Sequence, residues 1–169
     1  MRSIALVSLL FIAGLAGCSP PAERDAPALS VTVPGGTVAW TFASDPTPSL
    51  TLSRDSGAGQ SRPVLILTCL DRNQAGVEAR VSSAQSGPIT LRLTAGETTF
   101  AVPARRGQAD GQWTLFGVGD APSGWAEALG AAETLTLDYG DQGFEVGGPG
   151  EDLTQAFGER CSAPGEARG

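Results

Sequence analysis

The sequence predicts one mainly β domain, an antiparallel sandwich or small barrel of about eight to ten short strands with one or two short helices, the last at the C-terminus. Apolar and polar residues alternate in short runs from Leu29 onward, which is the period-two pattern of half-buried strands. The runs recur about every ten residues and are separated by Gly, Pro, Asp and Ser. The 23 glycines and 12 prolines also suit a domain rich in turns.

Each run places its apolar residues on one face of the predicted strand. Alternate residues of a strand point to opposite faces, so these side chains are expected in the core. The runs, in chain order, are Val31 with Val33; Val38, Trp40 and Phe42; Leu50 with Leu52; Val77, Ala79 and Val81; Ile89, Leu91 and Leu93; Phe100 with Val102; Trp113 with Leu115; Leu135, Leu137 and Tyr139; and Phe144 with Val146.

The run Val64–Leu70 differs because it is apolar on both faces. This pattern is typical of a central strand that is covered on each side. Cys69 shares a face with Leu65 and Leu67, so its thiol is expected to face the core.

Two segments have helical spacing. Ser123 is a candidate N-cap for a helix in which Trp125 and Leu129 lie four residues apart. Near the end of the chain, Leu153, Phe157 and Cys161 follow at i, i+4 and i+8 and share one helical face. Glu159 lies about 200° around the same helix from Phe157 and is expected to face water.

The N-terminal segment reads as an export signal, with Arg2 at its positive end and an apolar stretch from Ile4 to Ala16. It closes in Leu15-Ala16-Gly17-Cys18, which resembles the lipobox of bacterial lipoproteins. The alternative is an ordinary secretory signal that happens to contain a cysteine. The resemblance implies removal of residues 1–17 and lipidation of Cys18, which would attach the protein to a membrane.

The residue after the lipidated cysteine influences sorting in Gram-negative lipoproteins. Ser19 stands there in place of the Asp that often retains such proteins at the inner membrane. The resemblance therefore implies an outer-membrane protein that faces the periplasm. We expect residues 18–28 to form a proline-rich, polar tether, residues 29–162 to form the β-rich domain, and residues 163–169 to form a disordered tail.

Lipidation of Cys18 would leave two cysteines, Cys69 and Cys161, both expected to face the core in an oxidising compartment. We predict that they form a disulfide. In the chain-entropy model, a bridge that closes a loop of about 93 residues stabilises the folded state by on the order of 4–5 kcal/mol. The alternative is a pair of buried free thiols.

Composition excludes several chemistries. The chain contains no histidine, and all eleven of its basic residues are arginine, so imidazole bases and Schiff-base or P-loop lysines are absent. A net charge of −7 and a pI near 4.5 oppose nucleic-acid binding, which requires a concentrated positive patch. We expect no enzymatic activity, no cofactor and no metal site.

Asp138, Asp141 and Glu145 cluster within eight residues of the sequence. Their oxygens could bind Ca²⁺, although the spacing is not that of an EF-hand loop. The preferred interpretation is a β-hairpin with its tip at Gly140–Gly143 and its carboxylates in water.

Two polar segments could contribute to binding sites. Arg105 and Arg106 precede Gly107 at a predicted hairpin tip, where they could bind a carboxylate or phosphate, or simply be solvated. Residues 71–73 follow the central strand and could line a groove at the end of the domain, or form an exposed turn.

The three tryptophans, Trp40, Trp113 and Trp125, could form a platform for stacking carbohydrate if they lay side by side on an open face. Each belongs to a periodic apolar pattern, so we predict that all three lie in the core.

The layout from Leu50 to Cys161, a central strand, β-hairpins and a closing helix, resembles small periplasmic proteins of the type VI secretion-associated and invasion-associated-locus families. No functional motif matches residue by residue, so the resemblance implies architecture alone. We expect a noncatalytic envelope lipoprotein that acts as an interaction or accessory module, with an envelope protein as its partner. The alternatives are a small-ligand or glycan-binding lipoprotein and an inhibitor of a basic hydrolase such as lysozyme.

Overall fold

The computed structural model describes residues 30–33, 36–55, 59–71, 73–82 and 86–162. The predicted signal peptide, Cys18, the tether and the tail lie outside the described residues. The strands are β1 (Ser30–Val33), β2 (Gly36–Ala43), β3 (Ser49–Asp55), β4 (Ser61–Asp71), β5 (Gln74–Val81), β6 (Ile89–Ala95), β7 (Thr98–Ala109), β8 (Gln112–Asp120), β9 (Thr134–Tyr139) and β10 (Gln142–Gly147), and the helices are α1 (Trp125–Ala131) and α2 (Glu151–Ser162).

All ten strands belong to one antiparallel sheet, in the order β1-β2-β3-β4-β5-β8-β7-β6-β9-β10. The sheet curls into a half-barrel. This confirms the predicted fold class, and the single curled sheet is nearer to the barrel than to the sandwich alternative. The predicted C-terminal helix is also confirmed.

The sheet consists of two meanders that meet where β5 pairs with β8. Strands β1 to β5 follow one another in sequence, whereas the second half returns so that β6 pairs with both β7 and β9. The curl brings the two ends of the sheet close together. The indole Nε1 of Trp40 in β2 donates to the carbonyl oxygen of Gly147 in β10 at 2.8 Å.

The inner face of the sheet and the two helices enclose the core. The strand alternation is as predicted, since most inward residues from β2 to β9 are buried, with Phe42 partly buried and Trp113 exposed. Helix α1 packs against α2 and β6, and α2 packs against β2, β3 and β4. The largest fully buried side chains are Trp40, Phe100, Phe157, Leu50, Leu52, Leu65, Leu67, Leu91, Leu93, Leu115, Leu129 and Leu135.

Helix α2 buries the face that the sequence predicts. Leu153 and Phe157 are 1% and 2% exposed, and Glu159 points to solvent. One turn beyond Phe157, Cys161 forms the expected disulfide with Cys69 of β4, with a Cα–Cα distance of 5.6 Å. The last helix is therefore attached to the middle of the first meander by packing and by a covalent bond.

The prediction that β4 is covered on both faces is wrong. The outward side chain of Leu70 is 46% exposed, because one sheet curls around the core and no second layer covers its outer face in the part of the chain that the structure describes. Two residues of β8, Phe116 and Val118, are also exposed on this side. Phe116 lies against Gly76, where a Cβ atom would be 3.4 Å from its ring.

The hairpin between β7 and β8 begins later than predicted. Arg105 and Arg106 lie inside β7, and the turn is formed by Asp110 and Gly111, which have φ angles of 53° and 74°. Two successive residues with positive φ match the twist of a two-residue hairpin, and Asp-Gly is a preferred pair for it. Gly107 is an ordinary strand residue opposite Thr114.

The start of α1 also differs from the prediction. Its N-cap is Gly124, with a φ angle of 72° and no side-chain hydrogen bond, so Ser123 lies one residue before the cap. The chain has to turn sharply into the helix after Pro122, and glycine adopts this backbone conformation without strain.

Candidate functional site

The site that the structure offers is a groove between α1 and α2. Small residues let the two helices approach closely at its floor. A Cβ atom added to Gly158 would lie 3.0 Å from the Cβ of Ala126, and one added to Gly130 would overlap the hydroxyl of Thr154. The Thr154 hydroxyl is buried and donates within its own helix, to the carbonyls of Gly150 and Glu151.

The walls of this helix-pair groove carry three exposed glutamates. Glu127 belongs to α1, whereas Glu151 and Glu159 belong to α2. The groove encloses about 520 Å³. A floor of small residues beneath a carboxylate rim offers contact area to an aliphatic stem and negative charge to its cationic end.

A second cleft of about 430 Å³ continues from the groove and shares Ala126, Glu127 and Gly158 with it. It reaches the disulfide and the β4–β5 hairpin, where Asp71 and Asn73 line its wall. Both residues are also exposed, and Asn73 lies in the turn between β4 and β5, so they border a cleft and belong to an exposed turn at once, while Arg72 lies outside the described residues. The cleft wall is fixed in part by the amide of Ala121, which donates to the carbonyl of Asn73 at 2.8 Å.

Negative charge is concentrated at this helical end of the domain. The strand register places the hairpins β2–β3, β4–β5 and β6–β7 at the same end as the helices. Arg160 is the one basic residue described there. The acidic residues of this end are Asp45, Asp71, Glu97, Asp120, Glu127, Glu133, Glu151, Asp152 and Glu159.

Positive charge is concentrated at the opposite, hairpin end, where β3 joins β4 and β7 joins β8. Arg54 and Arg62 face each other across β3 and β4, and Arg80 lies near the end of β5. Arg105 and Arg106 follow in β7. The predicted arginine pair therefore joins three other arginines at this end, where the carboxylates of Asp55, Glu78 and Asp110 also lie, although it does not occupy a hairpin tip.

The predicted acidic cluster does not become a metal-ligating group. Asp138 lies within β9 opposite Gly143, Asp141 lies in the two-residue turn that follows, and Glu145 lies farther along β10. Within the described ranges, no three Asp, Glu, Cys or His side chains come together to hold a metal ion. The hairpin is as predicted, with a tip at Gly140 and Asp141.

The three tryptophans do not lie side by side on an open face. Trp40 and Trp125 are 2% and 6% exposed, as predicted for core residues, and the Trp125 ring packs 5.6 Å from that of Phe100. The core prediction is wrong for Trp113, which is 37% exposed because it is the second residue of β8, opposite Val81 at the border of the core.

Ionisation is perturbed far from the groove. Burial raises the pKa of the Tyr139 phenol above its ordinary value of 10.0, because the phenolate would lose hydration. The groove itself offers carboxylates on an open rim.

Sequence reasoning missed the groove because its floor residues carry no chemistry of their own. A signal was present: Ala126 and Gly130 lie four residues apart on α1, and Thr154 and Gly158 lie four apart on α2. Small residues at this spacing form a shallow face on each helix and permit close packing.

No helix in the described part of the chain is both long enough and apolar enough to span a membrane. Comparison of the chain with protein-family models, with curated proteins and with solved structures finds no match. The function is therefore inferred from the groove and from the charges around it.

Proposed function

We propose that this protein is a noncatalytic module of the cell envelope, anchored through lipid on Cys18, whose helix-pair groove binds a basic segment of a protein partner. The observation that supports the proposal is the placement of Glu127, Glu151 and Glu159 around a floor of small side chains at the acidic end of the domain. Lysine or arginine side chains of the partner would lay their stems on this floor and their charges against the rim.

The energy of such binding would come from two sources. Each exposed carboxylate contributes little by itself, because surface ion pairs are worth about 0–1 kcal/mol. Several carboxylates of one sign act together on the encounter rate and on partner choice. The small side chains of the floor would supply the buried apolar contact that holds the complex together.

A basic hydrolase such as lysozyme is one partner of this chemistry, and inhibition of such an enzyme is the second candidate function. The observation in its favour is the same acidic end. An inhibitor must also block the active site of its target, so an inhibition assay separates it from a module that only binds.

The binding test is calorimetric titration of the full chain with a peptide of alternating arginine and alanine at low ionic strength. We expect Glu127→Gln/Glu151→Gln/Glu159→Gln to weaken binding by about tenfold or more. The matched control, Glu97→Gln/Glu133→Gln/Glu145→Gln, removes the same charge from exposed sites outside the groove and should change affinity by less than about twofold. Equal losses in both variants would mean general attraction and would contradict the groove.

The anchor is tested separately by labelling growing cells with a fatty acid. We expect label on the natural chain and none on Cys18→Ser, which should accumulate unprocessed or soluble. Label that persists on Cys18→Ser would refute the lipoprotein assignment, whatever the outcome of the binding test.

A further inference from the structure

A pocket at the hairpin end of the sheet has a different chemistry from the groove. It encloses about 380 Å³ between the start of β4, the end of β5 and the β7–β8 turn. Two guanidinium groups, those of Arg62 and Arg80, line it together with the carboxylate of Asp110 and the polar side chains of Ser61 and Gln112. We call it the arginine pocket.

Arg80 is the fixed part of this pocket. Its side chain is only 14% exposed, and its Nη1 donates to the carbonyl oxygen of Ala109 at 2.7 Å. Its Nη2 lies 3.7 Å from a carboxylate oxygen of Glu78 and 3.8 Å from one of Asp110, beyond ordinary hydrogen-bond length. Both salt bridges among the described residues therefore belong to Arg80, and both are long.

The guanidinium of Arg80 is thus mostly shielded from water, and it makes one short hydrogen bond. Its Nε is buried and has no hydrogen-bond partner among the described residues. A buried cation needs compensation by charge and hydrogen bonds, and its two carboxylate neighbours supply little. Asp110 in particular is 94% exposed, so water screens its charge.

Arg62 adds a second positive charge beside Arg80. It lies directly opposite Arg54 across β3 and β4, and like charges in opposed positions of two strands repel each other. An anion that enters the arginine pocket would reduce this repulsion and would give Arg80 a closer partner than Glu78 or Asp110.

We propose that the arginine pocket binds a carboxylate. A guanidinium presents paired N–H donors that match the two oxygens of a planar carboxylate, and Ser61 and Gln112 offer further polar contacts. Charge balance selects a monoanion. Arg62 and Arg80 carry two positive charges and the neighbouring Asp110 and Glu78 two negative ones, so the two carboxylates oppose a dianion such as phosphate more strongly than a monoanion.

The test is an NMR titration of the full chain with acetyl-Ala-Ala, which has a free C-terminal carboxylate. We expect it to shift the amide signals of Ser61, Arg62, Arg80 and Gln112 with a millimolar dissociation constant. The same dipeptide with an amidated C-terminus has the same shape without the charge and should leave those signals unchanged. Inorganic phosphate should bind more weakly than the free dipeptide.

Two variants assign the site. Arg62→Gln changes an exposed residue, and it should weaken the binding of acetyl-Ala-Ala by about fivefold or more. Arg80→Gln should abolish binding, with the wild-type pattern of core signals as the check that it still folds. Arg92→Gln, an exposed arginine outside the pocket, is the matched control and should have no effect.

Several outcomes would overturn the assignment. No shift at high millimolar acetyl-Ala-Ala would exclude a carboxylate site, and equal binding of the amidated dipeptide would exclude charge recognition. Tighter binding of phosphate would give the pocket to a different ligand class. Full binding by Arg62→Gln would place the ligand elsewhere. The helix-pair groove is not tested by any of these measurements, so the two proposals stand or fall separately.

Discussion

The helical end and the hairpin end of this domain differ in charge and in what holds them. The helical end carries carboxylates on two helices that pack over the sheet, and Cys161 attaches α2 to β4. The hairpin end carries arginines on strands whose connection depends on the backbone of Asp110 and Gly111. Tertiary packing and a covalent bond thus shape the groove, whereas local turn geometry shapes the arginine pocket.

This difference predicts that each end can be disturbed without the other. The helices can be released from the sheet by changes in side chains alone, while the strands keep their backbone hydrogen bonds. The turn can be strained by one backbone change that leaves the groove intact.

The largest effect is expected from removal of the disulfide. Cys69→Ala/Cys161→Ala should lower the free energy of unfolding by about 4–5 kcal/mol, because the bridge spans 92 residues and restricts the unfolded chain. Urea denaturation measures the loss. Hydrogen exchange should show that α2 loses protection before the β7–β8 hairpin does. A loss below about 1 kcal/mol would mean that packing alone holds the helix.

The next effect separates packing from charge on one helix. Phe157→Ala removes a buried ring and should cost about 3–5 kcal/mol, whereas Glu159→Ala should change stability by less than about 0.5 kcal/mol. Both are measured by urea denaturation with the disulfide intact. Small, equal effects would contradict the packed α2 face and, with it, the groove that α2 forms.

Substitutions of two glycines, one at each end of the domain, compare the two ends directly. Gly130→Ala should cost about 1–3 kcal/mol, because the new methyl group would overlap the Thr154 hydroxyl and push the helices apart. Gly111→Ala should cost about 1–2 kcal/mol for a different reason, since its φ of 74° disfavours a side chain while the space around it is open. The binding experiments check the locations: Gly130→Ala should weaken the arginine–alanine peptide alone, and Gly111→Ala should weaken acetyl-Ala-Ala alone.

The smallest effect concerns Tyr139, the single tyrosine of the chain, at the hairpin end of β9. Its pKa in the folded protein is raised, so folding favours the neutral phenol. This contribution to stability is complete below the ordinary pKa of 10.0 and is lost as pH rises through the folded-state value. Absorbance titration should give a higher midpoint in the native protein than in urea. Coincident midpoints would show that the phenol is solvated.

The strands and the last helix followed from periodicity, because burial of alternate or every fourth side chain is a local pattern. The sequence predicts a turn at Arg105 and Arg106 because glycine, here Gly107, is frequent in turns. In the structure, the pairing of β7 with β8 continues to Ala109. Trp113 shows the same limit, since its exposure depends on where the core ends across the sheet.

Neither candidate site could be located from the sequence. The groove exists because α1 and α2 cross at small residues, and the arginine pocket exists because β5 lies beside β8 rather than β6. Both depend on contacts between distant segments. The sequence did predict that Asp71 and Asn73 follow the central strand, and in the structure they line the second cleft.

The hydrogen bond from Trp40 to Gly147 has a kinetic consequence. It joins residues 107 positions apart, whereas most neighbouring strands are connected by short turns. Loop closure over a long separation costs more entropy than closure of a hairpin, and such contacts form slowly. We expect the indole of Trp40 to reach its native surroundings after the hairpins have formed. In a Trp113→Phe/Trp125→Phe variant, tryptophan fluorescence during refolding would then time the moment at which the two halves of the sheet meet.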